Sequence, residues 1–257
     1  MNWLIEEQEG IVILKMSSNK LNLMNDAFFK DLNYAFDTLD NDYSNKPVIL
    51  TSMGNVFSAG LDLNQCYEIF TRGDSEEVLN WFNQFRDSIL RVFNFKRPII
   101  AALNGHAIAG GLILALCCDM RYAVSSNAKF GLNEITIGFP LPSVFAEIIK
   151  YALGTRRSEE ILFNGILYKP DDCIKLGIFH DITDQNNLID MSLSYAGQFN
   201  SENIYAYSVA KNALRAEANN RIESYSKEMD KNVPGMLTSD KTKNNLKMIL
   251  ENLKERK

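Results

Sequence analysis

Three stretches of the chain bring together residue types that do chemistry. Phe57-Ser58-Ala59-Gly60-Leu61-Asp62-Leu63 and Asn104-Gly105-His106-Ala107-Ile108-Ala109-Gly110-Gly111 are glycine-bearing turns. Phe130-Gly131-Leu132-Asn133-Glu134-Ile135-Thr136-Ile137-Gly138 sets one carboxylate among apolar neighbours. Glycine lets the main chain approach a ligand closely. Unpaired N–H groups where a helix begins, as expected at Gly110-Gly111, favour negative charge. Charge that develops on a substrate oxygen during a reaction needs prealigned donors of that kind. A carboxyl in apolar surroundings has a raised pKa and exchanges protons near neutral pH, which makes Glu134 the acid–base candidate. Each turn taken singly is as compatible with close packing as with chemistry, and most glutamates are simply solvated.

These residues need elements to hold them. Ile11 to Met16 is a short apolar run read as a strand, and Pro47 to Thr51 and Pro98 to Leu103 are two more. Asn25 or Asp26 is placed to cap a helix running to about Asp40, with Phe28, Phe29, Leu32, Phe36 and Leu39 at helical spacing. Glu76 to Phe93 repeats that pattern. Leu112 to Cys118 is apolar on every side, the mark of a helix inside a protein. Met120 to Ala123 and Lys129 to Gly131 read as further strands. Apolar strands alternating with helices predict α/β layering. From about Ser192 the chain turns helical and polar, and Lys241 to Lys257 carries Leu246, Ile249, Leu250 and Leu253 on one face. That tail is expected to pack on the body or on a neighbouring subunit.

Bulk composition narrows the classes. The 257 residues suit one large domain with an appendage. The net charge of −5 argues against a nucleic-acid partner. Cys66, Cys117, Cys118 and Cys173 have neither metal nor redox spacing and read as reduced, buried thiols. With the two histidines, His106 and His180, far apart in sequence, no metal site is expected. The N-terminus has no leader pattern and the longest apolar stretch, Ala107 to Cys118, is too short for a membrane span. The expectation is a cytoplasmic protein.

The three chemical stretches, in this order, resemble the crotonase (enoyl-CoA hydratase/isomerase) superfamily: an FxAGxDL turn, an NGxAxGGG turn into a buried helix, and an F-G-x-x-E loop. The resemblance covers roughly residues 1–190. It implies a spiral of ββα repeats (residues 1–190) followed by a C-terminal helical oligomerisation or lid region (191–257), in trimers that often pair as hexamers. It implies an acyl-CoA thioester substrate, with coenzyme A part of the substrate and no separate cofactor. Matched by motif, the N–H groups of Leu61 and Gly110 would hold the thioester oxygen of an enolate, and Glu134 would carry the proton. Lys20, Leu21, Ala59, Asp62, Leu63, Gly111 and Ile113 fall at substrate-contacting positions, and Leu112 and Phe139 would help to line the acyl pocket.

One departure from the hydratase pattern is informative. Hydratases of this family carry a second glutamate on the buried helix; the matching position here is Ile113, and the third glycine is Leu112. Hydration needs both a water activated and a proton delivered, whereas a double-bond shift needs one base that moves a proton from C2 to C4. The Gly131-Leu132-Asn133-Glu134 segment is similar to that of the Δ3,Δ2-enoyl-CoA isomerases, so an isomerase is expected. A hydratase or other lyase of the family, and a non-catalytic acyl-CoA-binding paralogue, are the alternatives. Asp62 reads first as a turn-stabilising carboxylate, His106 as structural, His180 as a surface residue, and Asp119 as a group bonding backbone. The C-terminal lysines, Lys254 among them, read as a solvated face or as CoA-phosphate contacts.

Overall fold

A computed structural model describes residues 3–255 of the chain. Lys257, the end of the expected apolar-faced tail, lies outside the described residues. Two sheets form the frame. Strands β1 (Trp3–Gln8) and β2 (Ile11–Met16) make an antiparallel hairpin. Its turn is Glu9-Gly10, both with positive φ. Helix α1 (Asp26–Asp42) follows, its first turn capped by the Asn25 side chain, which accepts from the Phe28 N–H.

Three successive units then repeat one pattern: a strand in the larger sheet, a strand in the smaller one, then helix. The first is β3 (Val48–Ser52), β4 (Val56–Ser58), α2 (Leu63–Arg72) and α3 (Ser75–Phe93). The second is β5 (Ile99–Leu103), β6 (His106–Ile108) and α4 (Gly110–Leu116); the third is β7 (Met120–Val124), β8 (Phe130–Gly131) and α5 (Ser143–Asn164). With β9 (Asp181–Thr183) at its far edge, the larger sheet has the order β1-β2-β3-β5-β7-β9, parallel beyond the first hairpin, and the smaller is a parallel β4-β6-β8. Strands β3 and β5 are buried along their whole length, as parallel strands covered on both faces must be. This is the ββα spiral that the resemblance implied.

The spiral is locked where its turns stack. Asn104 donates to the carbonyls of Ser52 and Gly54 and accepts from the Ser52 hydroxyl. A Cβ on the next residue, Gly105, would lie 1.9 Å from the Asn55 carbonyl oxygen, so only glycine fits. These two residues join the β3–β4 turn to the β5–β6 turn, and so set β4 beside β6.

Beyond the third unit come α6 (Pro170–Lys175), β9 (Asp181–Thr183), α7 (Leu188–Ala196) and α8 (Ile204–Arg221). A π-helical turn over Ile222–Ser226 continues into α9 (Lys227–Met229), a 3₁₀ turn at Asp230–Asn232, α10 (Val233–Leu237) and α11 (Asp240–Glu255). Helix α11 packs back against α2, so the polar tail lies on the body of its own chain. Among the described residues no helix is long and apolar enough to cross a membrane. All four cysteines are free and buried, and burial raises each thiol pKa, that of Cys118 to about 12.

Candidate active site

The site is built from loops at the ends of the small sheet's strands. The segment before α1 runs alongside the turn after β4. Ala59 N–H donates to the Leu21 carbonyl, Met24 N–H to Gly60, and Asp62 N–H back to Met24. The buried Asn22, at φ 46°, donates to the Val56 carbonyl, and its own carbonyl accepts from the Ser58 hydroxyl. This lacing leaves the Leu61 N–H pointing out of the ladder. Asp62 then caps α2 by accepting from the Asn64 N–H.

The second turn is strained. Ala109 sits at φ 52°, ψ −124°, a region that costs a residue with a Cβ about 1–3 kcal/mol. Its N–H is tied to the Gly131 carbonyl, and its own carbonyl accepts from both Leu112 and Ile113. The kink turns the Gly110 N–H away from the helix that it opens. The two turns touch. A Cβ built on Gly110 would lie 3.9 Å from the Leu61 nitrogen, and one on Gly60 would lie 3.2 Å from the Gly110 nitrogen. Among the described residues, neither the Leu61 nor the Gly110 N–H has a protein acceptor. Two free amides thus converge on one small volume, the geometry that stabilises an oxyanion.

Glu134 follows β8 in a tight turn, where its carbonyl accepts from the Phe139 N–H. The side chain is 7% exposed and its Oε2 is buried without a hydrogen-bond partner. Burial pushes its carboxyl up to about 7. A desolvated carboxylate whose pKa is raised toward neutrality in this way suits a proton carrier.

Glu134, Leu61 and Gly110 open onto one cavity of about 480 Å³. Its exposed rim includes Leu21, Asn64 and, from α11, Leu253 and Lys254. Its buried floor includes Ile113, Phe85 and Phe145, the last two with ring centres 4.5 Å apart. Two carboxylates line it, those of Asp62 and Glu134; of the two, Glu134 is the buried one.

Most residues singled out in the sequence meet here: Leu21, Ala59, Leu61, Asp62, Leu63, Gly110, Ile113, Glu134 and Phe139 all line the cavity. Three do not. Lys20 lines a separate surface depression with Met53 and Asn55, because its neighbour Leu21 takes the inward position. Gly111 is a packing residue, since a Cβ there would lie 2.2 Å from the Ser58 carbonyl oxygen. Leu112 is wholly buried behind the cavity wall.

The sequence reading missed Phe85 and Phe145, which share the floor though 60 residues apart, because a core phenylalanine and a pocket phenylalanine carry the same local pattern. The apolar face of α11 was visible as a periodicity, and its target, Ile249 and Leu250 over the cavity, was not. His106 is structural: its Nδ1 accepts from the Lys129 N–H. Asp119 bonds backbone at Ile99, as expected, and also pairs with two cations on α8, Lys211 at 2.7 Å and Arg215 at 2.8 Å.

A family model described as enoyl-CoA hydratase/isomerase matches residues 6–256. The mouse mitochondrial enoyl-CoA delta isomerase 1 is 29% identical over 256 residues, covering 98% of this chain and 86% of the relative. A short-chain-enoyl-CoA hydratase of Clostridium acetobutylicum is 28% identical over 217 residues, covering 83% and 81%. The crystal structure of human mitochondrial delta3-delta2-enoyl-CoA isomerase superimposes with a TM-score of 0.92 at 26% identity, covering both chains completely.

Proposed function

The chain belongs to the enoyl-CoA hydratase/isomerase family, and from that premise we propose that it is a Δ3,Δ2-enoyl-CoA isomerase with Glu134 as its one proton carrier. The observation that carries this reading is the buried Glu134, its Oε2 without a partner, facing a cavity in which Ile113 stands where a hydratase has its second acid. In the proposed reaction the Glu134 carboxylate takes a proton from C2 of a 3-enoyl thioester. The electron pair moves onto the thioester oxygen, giving a dienolate whose charge the Leu61 and Gly110 N–H groups hold. The protonated Glu134 then delivers the same proton to C4, and the double bond settles between C2 and C3. No water is consumed, and nothing beyond the thioester is required. Ile113, Phe85 and Phe145 keep the acyl end dry, which strengthens the two amide contacts.

Asp62, Leu21, Leu63 and Ala59 belong in this reading to the substrate-facing wall, with Lys254 at the rim. A homotrimer or hexamer acting in the cytoplasm is part of the same proposal; light scattering and fractionation test those two elements. For the activity, purified protein is incubated with 3-hexenoyl-CoA and with crotonyl-CoA. Conversion of the first to its 2-enoyl isomer, with crotonyl-CoA left unhydrated, is the expected result. Hydration of crotonyl-CoA at a comparable rate would overturn the single-acid reading.

A further inference from the structure

A second cavity, of about 420 Å³, lies between α4, α5 and α8, with Asp119, Arg121, Tyr151, His180, Tyr207, Lys211 and Arg215 in its wall. None of these residues takes part in the chemistry described above. Three of them are cations at 3–6% exposure, Arg121, Lys211 and Arg215, in a chain whose overall charge is negative. Asp119 is the one carboxylate in that wall, and both its oxygens are already used, one by Lys211 and the Ile99 N–H, the other by Arg215.

Arg121 feels the Asp119 charge but has no ion pair of its own. Its Nε donates to the Ile178 carbonyl at 2.7 Å and its Nη1 to the Cys118 carbonyl at 2.8 Å. Among the described residues its Nη2 has no acceptor and no carboxylate lies within ion-pair distance. Beside it, His180 uses Nδ1 to accept from the Arg121 N–H. In the neutral ring that fixes the proton on Nε2, a second donor with no partner among the described residues. A buried guanidinium bonded to neutral carbonyls, in a wall where three cations share one carboxylate, is costly unless a further anion joins it. The donor set, a planar guanidinium edge beside an imidazole N–H, suits a planar carboxylate or a phosphate oxygen.

We infer that this cavity binds a small oxyanion, a carboxylate or phosphate group, held between Arg121 and His180. The group arrives either on a free small molecule or on an acidic side chain of a second copy of this chain. Isothermal titration of the full-length protein with inorganic phosphate, at constant ionic strength in chloride, is expected to show saturable binding. Arg121→Gln and His180→Ala are each expected to weaken it at least about tenfold, the loss of one bond to a charged group. Arg121 is buried, so its replacement also tests folding; His180 is exposed, and its variant, checked by circular dichroism, decides the matter. Sedimentation of the same samples separates the two sources. A free anion leaves the association state the same in wild type and His180→Ala. A carboxylate of a second copy makes association fall in His180→Ala and on adding phosphate to wild type. Equal phosphate binding by wild type and folded His180→Ala overturns the inference. So does an absence of phosphate binding together with unchanged association.

Discussion

Glu134 is a residue whose environment works against its own charge, and that has two measurable signs. In the proposed reaction Glu134 must be ionised to take the first proton, so kcat/KM for a 3-enoyl-CoA is expected to rise with pH through about 7 and level off above it, the value set by burial. Replacement by glutamine is expected to lower the rate by about a hundred- to ten-thousandfold. Stability should move the other way. The folded carboxyl titrates near 7 against an ordinary 4.5, so between those values the native state binds the proton more tightly and stability falls as pH rises. The cost is absent below about 4.5 and complete above about 7, where it amounts to about 3 kcal/mol. Glu134→Gln is therefore expected to unfold at a higher denaturant concentration than wild type at pH 8, with the two converging near pH 4. The candidate acid is legible in the amino-acid order alone because five apolar residues flank it. That Lys20 faces away from the cavity is not, because the direction of one residue in an irregular segment depends on which neighbour, here Leu21, takes the inward place.

At the scale of elements, the paired glycines opening α4 have different jobs. A methyl on Gly111 would meet the Ser58 main chain at 2.2 Å, and backbone cannot swing aside. Gly111→Ala is expected to cost about 1–3 kcal/mol or more and to separate β4 from α4. A methyl on Gly110 would press on the Met24 sulfur alone, at 3.2 Å, the pliable part of a flexible side chain, with Gly60 and Leu61 at ordinary contact distance. Thermal melts of the two variants should differ accordingly, with Gly110→Ala close to wild type. Sequence periodicity located α1, α3, β2, β3, β5 and β7 well, because each is long enough to show a buried face. It overlooked β4 and β6, three residues each, and the single bond that ties Ala109 to Gly131 across the sheet. Short parallel strands owe their form to partners distant in the chain, and no local pattern marks them.

For the whole molecule, the helical C-terminal part is bolted to the spiral through charge. Asp119, at the end of the second unit, holds Lys211 and Arg215 of α8 in a buried triad. Asp119→Asn leaves two buried cations short of their counter-charge and is expected to cost about 3–5 kcal/mol, read from urea denaturation. The triad escaped the sequence reading because ion pairs about 90 residues apart have no local signature. Elsewhere α11 brings Ile249 and Leu250 to the cavity wall. Leu250→Asp is expected to lower kcat/KM more for long acyl chains than for short ones, by about fourfold for each methylene no longer shielded, a trend that a series of 3-enoyl-CoA substrates would reveal.

Helix α5 forms part of the cavity floor through Phe145, yet it begins at Pro142 with no capping side chain nearby in sequence. Its first amides, of Ser143 and Val144, are satisfied by the carboxylate of Asp230, at 2.8 and 3.2 Å. During synthesis the three sheet-building units and the Glu134 turn leave the ribosome well before Asp230 does. In a nascent chain Glu134, Leu61 and Gly110 are thus all present while that floor is still unanchored. Anchoring of the cavity floor would then be among the last steps as the polypeptide completes its fold.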